Sequence, residues 1–95
     1  MPRWRPSADN DLRRNIEAFA QDDPITAWRT FEAVYRRAEI LDLQPDIGRP
    51  GRVSGTREFV VTGTPFILVY TQDETGVEIL RVLHGRQQWP PRVET

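Results

Sequence analysis

The sequence predicts an α+β fold in the order β-α-α-β-β-β, an antiparallel sheet packed against an N-terminal helical hairpin. Three observations carry this expectation. Apolar residues between Leu12 and Leu41 recur at helical spacing. Residues 56–84 fall instead into β-rich runs separated by glycine turns. Between the two halves, Leu43 to Val53 holds Pro45, Gly48, Pro50 and Gly51 and predicts no regular structure.

In chain order, Arg3-Trp4-Arg5 alternates polar and apolar and suits a short edge strand ahead of Pro6. Ser7 is expected to cap the first helix, with Asp9 and Asp11 in the first turn, where the helix dipole favours negative charge. Leu12, Ile16, Phe19 and Ala20 then make an apolar stripe of helical period. Asp23-Pro24 restarts the pattern, the aspartate as cap and the proline at the first helical position. Ile25, Trp28, Phe31, Tyr35, Ala38 and Leu41 continue it on one face, and the aromatics of both helices are expected in the core. The short Gln21-Asp22-Asp23 link makes the pair an αα-hairpin.

Thr56 to Thr62 reads as a strand, turned by Gly63-Thr64-Pro65 into Phe66 to Thr71. That second run is almost continuously apolar and suits a central strand covered on both faces. Asp73-Glu74-Thr75-Gly76 is a hairpin loop with a glycine for positive φ, and Val77 to His84 is the last strand. Gly85 to Thr95, with Pro90-Pro91, is expected as an extended tail.

A length of 95 residues suits a single domain, 1–95. Its 38 % hydrophobic content fits a folded chain and argues against disorder. No apolar run approaches the roughly 18 residues of a membrane span, and no signal-like stretch opens the sequence. A soluble cytoplasmic protein without membrane partners is expected. With no cysteine there is neither a disulfide framework nor a thiolate metal site, and neither a metal nor a cofactor is expected. All 13 basic residues are arginine, so no mechanism here can use a lysine.

The net charge of −1 neither favours nor disfavours nucleic acid, but its distribution is uneven. Arg49, Arg52 and Arg57 lie between Asp46 and Glu58 with no acid among them, and Arg81, Arg86 and Arg92 lie likewise between Glu78 and Glu94. Both stretches read as positive patches, either for phosphate or an acidic partner or as solvated surface.

Metal-free RNA cleavage needs a base for the 2′-OH, an acid for the leaving oxygen and cations for the phosphorane. Arg57, Glu58, Arg81, His84 and Arg86 are the only clustered residues of those kinds. Strand alternation opposes the idea. Arg57 and Glu58 point to opposite faces, as do Arg81 and His84, unless a bulge re-aims one of them. The lone His84 is more simply a structural hydrogen-bonding residue, and Arg57-Glu58 a pair at a surface or edge. Trp89 is either a cap over the core or an exposed anchor.

Several segments together resemble the RelE/ParE superfamily of toxins from prokaryotic type II toxin–antitoxin systems. They are Ala8-x-x-Asp11-Leu12, Pro45-x-x-Gly48-Arg49, Gly55-x-Arg57-Glu58, Tyr70, Ile79-Leu80-Arg81-Val82-Leu83-His84 and Gln87-x-Trp89-Pro90. The match spans nearly the whole chain, and the superfamily fold is the β-α-α-β-β-β order read above.

The resemblance implies one of two activities. RelE-like members cut mRNA on the ribosome with basic residues and a C-terminal tyrosine or histidine, roles that would fall here to His84, Arg81, Glu58 and Arg57. ParE-like members poison DNA gyrase and lack that catalytic set. The absence of lysine, the lack of arginine in Phe66-Ile67-Leu68-Val69, and Gly85 after His84 place this chain nearer the ParE side. So does Arg52-Val53-Ser54-Gly55-x-Arg57-Glu58 together with the Arg86-Gln87-Gln88-Trp89-Pro90 tail.

On that branch the expected function is a non-enzymatic gyrase inhibitor in a plasmid-stabilisation module, neutralised by a ParD- or RelB-like antitoxin. Arg81, His84, Arg86 and Trp89 are the expected target-binding residues, and Arg49, Arg52 and Arg57 the patch for phosphate or an acidic partner. The alternatives are the ribosome-dependent endonuclease and an inactive relative that binds only its antitoxin as a co-regulator.

Overall fold

The computed structural model describes residues 1–85 and 87–91. Strands β1 (Arg3–Trp4), β2 (Arg49–Pro50), β3 (Arg57–Val60), β4 (Phe66–Asp73) and β5 (Gly76–His84) form one sheet in the order β1-β5-β4-β3-β2. Helix α1 (Pro6–Ala20) packs against β5, α2 (Pro24–Ala38) packs against α1, and the single turn α3 (Ile40–Leu43) follows. The α+β class is as expected, but the sheet is mixed, because β1 joins β5 in parallel. The segment read as irregular also contributes β2 to the far edge. Pro50 is tolerated there because the outermost strand needs no second ladder of N–H groups.

The start of α1 differs from the expectation. Arg5 is the N-cap residue, Pro6 fills the first helical position, and Ser7 lies inside the helix. The Ser7 hydroxyl donates instead to the Leu80 carbonyl at 2.7 Å. Helix α2 begins as read, with the Asp23 carboxylate accepting from the Thr26 N–H at 3.1 Å.

The aromatic stripe of the hairpin is only partly core. Ala27, Val34 and Ala38 form the buried line of α2, with Phe31 and Tyr35 half-buried beside it. Trp28 (60 %) and Ile25 (65 %) are exposed, and Phe19 also reaches the surface. Small alanines permit close helix approach, so they occupy the helix–helix contact and displace the large side chains to its flank.

Phe66, Leu68, Tyr70, Val77, Ile79 and Val82 meet Ala8, Leu12, Val34, Ala38 and Leu41 in the main core. On the outer sheet face, Ile67, Val69 and Leu83 are covered by Trp89. Residues Phe66 to Tyr70 are therefore buried on both faces, as a central strand requires. Tyr70 pairs with Ile79 and Val69 with Arg81, leaving Leu80 as the extra residue of a bulge. That bulge lets Ile79 and Val82 both face the helices while Arg81 and Leu83 face outward.

Candidate functional site

Arg57 and Glu58 do point to opposite faces of β3, and each fastens the same loop. On the helix side, the Arg57 guanidinium donates to the Gly48 carbonyl at 2.8 Å and lies 3.6 Å from the Asp46 carboxylate. Tyr70 works beside it, its hydroxyl donating to the Pro45 carbonyl at 2.6 Å and accepting from the Gly48 N–H at 2.9 Å. A Cβ on Gly48 would stand 2.6 Å from that hydroxyl oxygen, so the approach requires glycine.

On the outer face, the fully buried Glu58 carboxylate accepts from the Arg52 N–H (2.8 Å), the Arg52 guanidinium (3.0 Å) and the Arg49 guanidinium (3.0 Å). Burial pushes the Glu58 carboxyl upward. The Arg52 N–H and the two guanidinium groups outweigh it and hold the group below its ordinary value. A carboxylate held in this way is a poor base. Arg49 and Arg52 remain about half-exposed, but their charge is already engaged.

In the second arginine stretch, Arg81 is likewise compensated from across the chain. Beyond Ile79, no described strand pairs with the β1-side edge of β5, and α1 supplies the missing partners from successive turns. Ser7 donates to the Leu80 carbonyl, and Asp11 accepts from the Val82 N–H at 3.1 Å. Asp11 also grips Arg81 through two bonds, Nε to Oδ2 at 2.6 Å and Nη2 to Oδ1 at 3.0 Å. These bonds to Asp11 raise the Arg81 pKa. The Arg81 Cζ lies 5.6 Å from the centre of the Trp89 ring, within cation–π range.

His84 lies on the opposite, helix-facing side, its ring edge-on to Phe66 with centroids 6.2 Å apart. It borders a surface cleft of about 440 Å³ with Asn15, Ala18, Phe19, Pro65 and Phe66. Its backbone N–H donates to the Gln87 side-chain carbonyl oxygen at 3.3 Å.

The candidate residues therefore divide in two. Arg49, Arg52, Glu58, Arg81 and Trp89 share the outer face, whereas Arg57 and His84 face the helices. The bulge at Leu80 precedes Arg81 and does not bring His84 across. Trp89 caps the outer apolar patch and is half-buried. Arg86 lies outside the described residues.

Asp11 is the participant that sequence reasoning assigned only to the helix dipole. Its spacing of four from Ser7, next to buried Leu12, was the available signal that both polar side chains face the sheet edge.

Residues 3–89 match the family profile described as the ParE toxin of the type II toxin–antitoxin system parDE. The chain is 41 % identical over 91 residues to a Sinorhizobium fredii (strain NBRC 101917 / NGR234) protein named "Putative toxin Y4kP", covering 93 % of this chain and 91 % of that one. A solved structure titled "Chromosomal ParDE TA system from P. aeruginosa" superposes with a TM-score of 0.79 at 21 % identity, covering 86 % of this chain and 91 % of the other. That likeness speaks for the fold alone. The family match over residues 3–89 and the close relative bear out the RelE/ParE resemblance, and the chain belongs to the ParE toxin family of type II toxin–antitoxin systems.

Proposed function

We propose that this toxin acts on DNA gyrase in the cytoplasm through the outer face of its sheet and C-terminal segment, and that a cognate antitoxin neutralises it. The observation that carries the proposal is the division of the candidate acid–base residues. Glu58 is buried and bonded to two arginines on one face, and His84 stands on the other. A general acid and a general base for RNA cleavage need to converge on one phosphate. An inhibitor that binds its target needs only a shaped surface, and the outer face offers Trp89 with the half-exposed Arg49 and Arg52 around it. Maintenance of a plasmid or chromosomal segment follows as the role of such a module.

The antitoxin is proposed to cover the exposed apolar residues of the helical hairpin, Phe19, Ile25 and Trp28, as a segment that folds on binding. Controlled expression tests the reading. Growth arrest with relaxed plasmid DNA, reversed by co-expression of the adjacent small reading frame, is expected. Arrest with normally supercoiled DNA and cleaved mRNA would instead support the ribosome-dependent alternative. Absence of arrest would leave the antitoxin-binding co-regulator.

A further inference from the structure

We propose that Arg81 is a positioning residue, a clamp through which helix α1 holds Trp89 on the outer face of the sheet. The proposal deepens the target reading above, in which the C-terminal segment meets the target. It differs from a direct role for Arg81, because it places the arginine's function within the toxin.

The guanidinium makes two kinds of contact, hydrogen bonds to Asp11 and a cation–π contact to Trp89. Its edge is taken by Asp11 through Nε and Nη2. A two-point grip fixes the plane of the group as well as its position. Asp11 is itself fixed, being 6 % exposed and accepting the Val82 N–H from the strand edge. The Cζ of the same guanidinium lies over the Trp89 ring, 5.6 Å from its centre.

Trp89 needs such a contact. Its ring rests on Ile67, Val69 and Leu83, and apolar packing of this kind has no preferred direction. A buried indole usually finds an acceptor for its N–H, yet the Trp89 Nε1 is buried with no acceptor among the described residues. Among the described residues no hydrogen-bond acceptor sets the orientation of the ring, and Arg81 supplies the directional contact. The chain of contacts Asp11–Arg81–Trp89 links a residue early in α1 to the C-terminal segment across the open edge of β5.

The test uses the full chain with Trp4→Phe and Trp28→Phe, which leaves Trp89 as the sole tryptophan of three, excited selectively over tyrosine. Acrylamide quenching of Trp89 and gyrase inhibition are measured for Asp11→Asn, Arg81→Met and Arg81→Lys, with circular dichroism confirming the fold. Asp11→Asn keeps an acceptor for Val82 but loses the charge. Arg81→Lys keeps the charge but loses the fork and the flat face.

Loss of a partly desolvated cation–π contact raises the lifted fraction of the segment by roughly fivefold to thirtyfold. All three variants are therefore expected to quench more readily and to inhibit gyrase less, with lysine failing to rescue. If Arg81 instead met the target directly through its charge, Asp11→Asn would inhibit fully and lysine would restore activity, and either result overturns the clamp. Unchanged quenching in both Asp11→Asn and Arg81→Met overturns it as well, whether or not the parent protein acts on gyrase. If the parent does not act on gyrase but Trp89 is freed by these changes, the target reading fails and the clamp stands.

Discussion

Replacing Glu58 with glutamine tests whether the Arg49–Arg52 stretch is a structural clasp. The carboxylate is wholly buried and receives the Arg52 N–H at 2.8 Å, the Arg52 Nη2 at 3.0 Å and the Arg49 Nη2 at 3.0 Å. Glutamine preserves the shape and one acceptor, but its amide hydrogens must face guanidinium hydrogens. Removing one partner of a fully buried ion pair costs about 3–5 kcal/mol. Here the side chains of both arginines are about half-exposed, at 55 % and 44 %, and regain hydration when the pair is lost. The discounted cost is about 2 kcal/mol, which lowers Tm by roughly 8–16 °C in a domain of this size.

The pH dependence follows from the sign of the shift. The folded Glu58 pKa lies below its ordinary value of 4.5, so its stabilising contribution is fully present above that value. It disappears as pH falls through the folded pKa. Thermal melts of the parent and Glu58→Gln from pH 7 to pH 3 should therefore show a gap that narrows below about 4.5. Other depressed carboxylates, such as Asp23 and Asp73, are common to both proteins and cancel in the difference. A Tm change of less than about 2 °C at pH 7, or a gap independent of pH, would refute the clasp.

Further substitutions probe other parts of the account. Tyr70→Phe strands the Gly48 N–H and the Pro45 carbonyl, and chemical denaturation should show a loss of about 1–3 kcal/mol. Gly48→Ala drives a methyl group against the Tyr70 hydroxyl and should lower the denaturation midpoint too, since that site is buried. Trp28→Ala should leave the melting temperature nearly unchanged but weaken antitoxin binding by about 2–4 kcal/mol in calorimetry, as an exposed aromatic anchor does. His84→Ala should retain gyrase inhibition while Trp89→Ala loses it, because the two side chains occupy opposite sides of the sheet.

Local signals were the most legible in the sequence. Asp23-Pro24 marked the start of α2, the Asp73–Gly76 loop gave the β4–β5 turn, and the apolar run at Phe66 foretold a strand buried on both faces. Strand alternation alone also separates Arg57 from Glu58 and Arg81 from His84.

What escaped depends on contacts distant in the chain. The partner of Arg81 is Asp11, 70 residues away, and no spacing rule links them. The parallel pairing of β1 rests on two residues, too few for a pattern. The Arg49–Arg57 stretch reads as uncompensated in sequence because Glu58 only bounds it, whereas in the fold Glu58 is the anion that the loop folds around. The exposure of Trp28 and Ile25 was hidden for a different reason: hydrophobic size marks a helical stripe, but alanines decide which side of that stripe meets the neighbouring helix.

The most direct test of the proposed action is a supercoiling and DNA-cleavage assay with purified gyrase, run with the toxin alone and with its antitoxin added. The account predicts loss of supercoiling and accumulation of gyrase-linked cleaved DNA, both abolished by antitoxin. Gyrase that continues to supercoil normally, in a preparation that cleaves mRNA on ribosomes, would contradict it and return His84, Arg81 and Glu58 to consideration as catalytic groups.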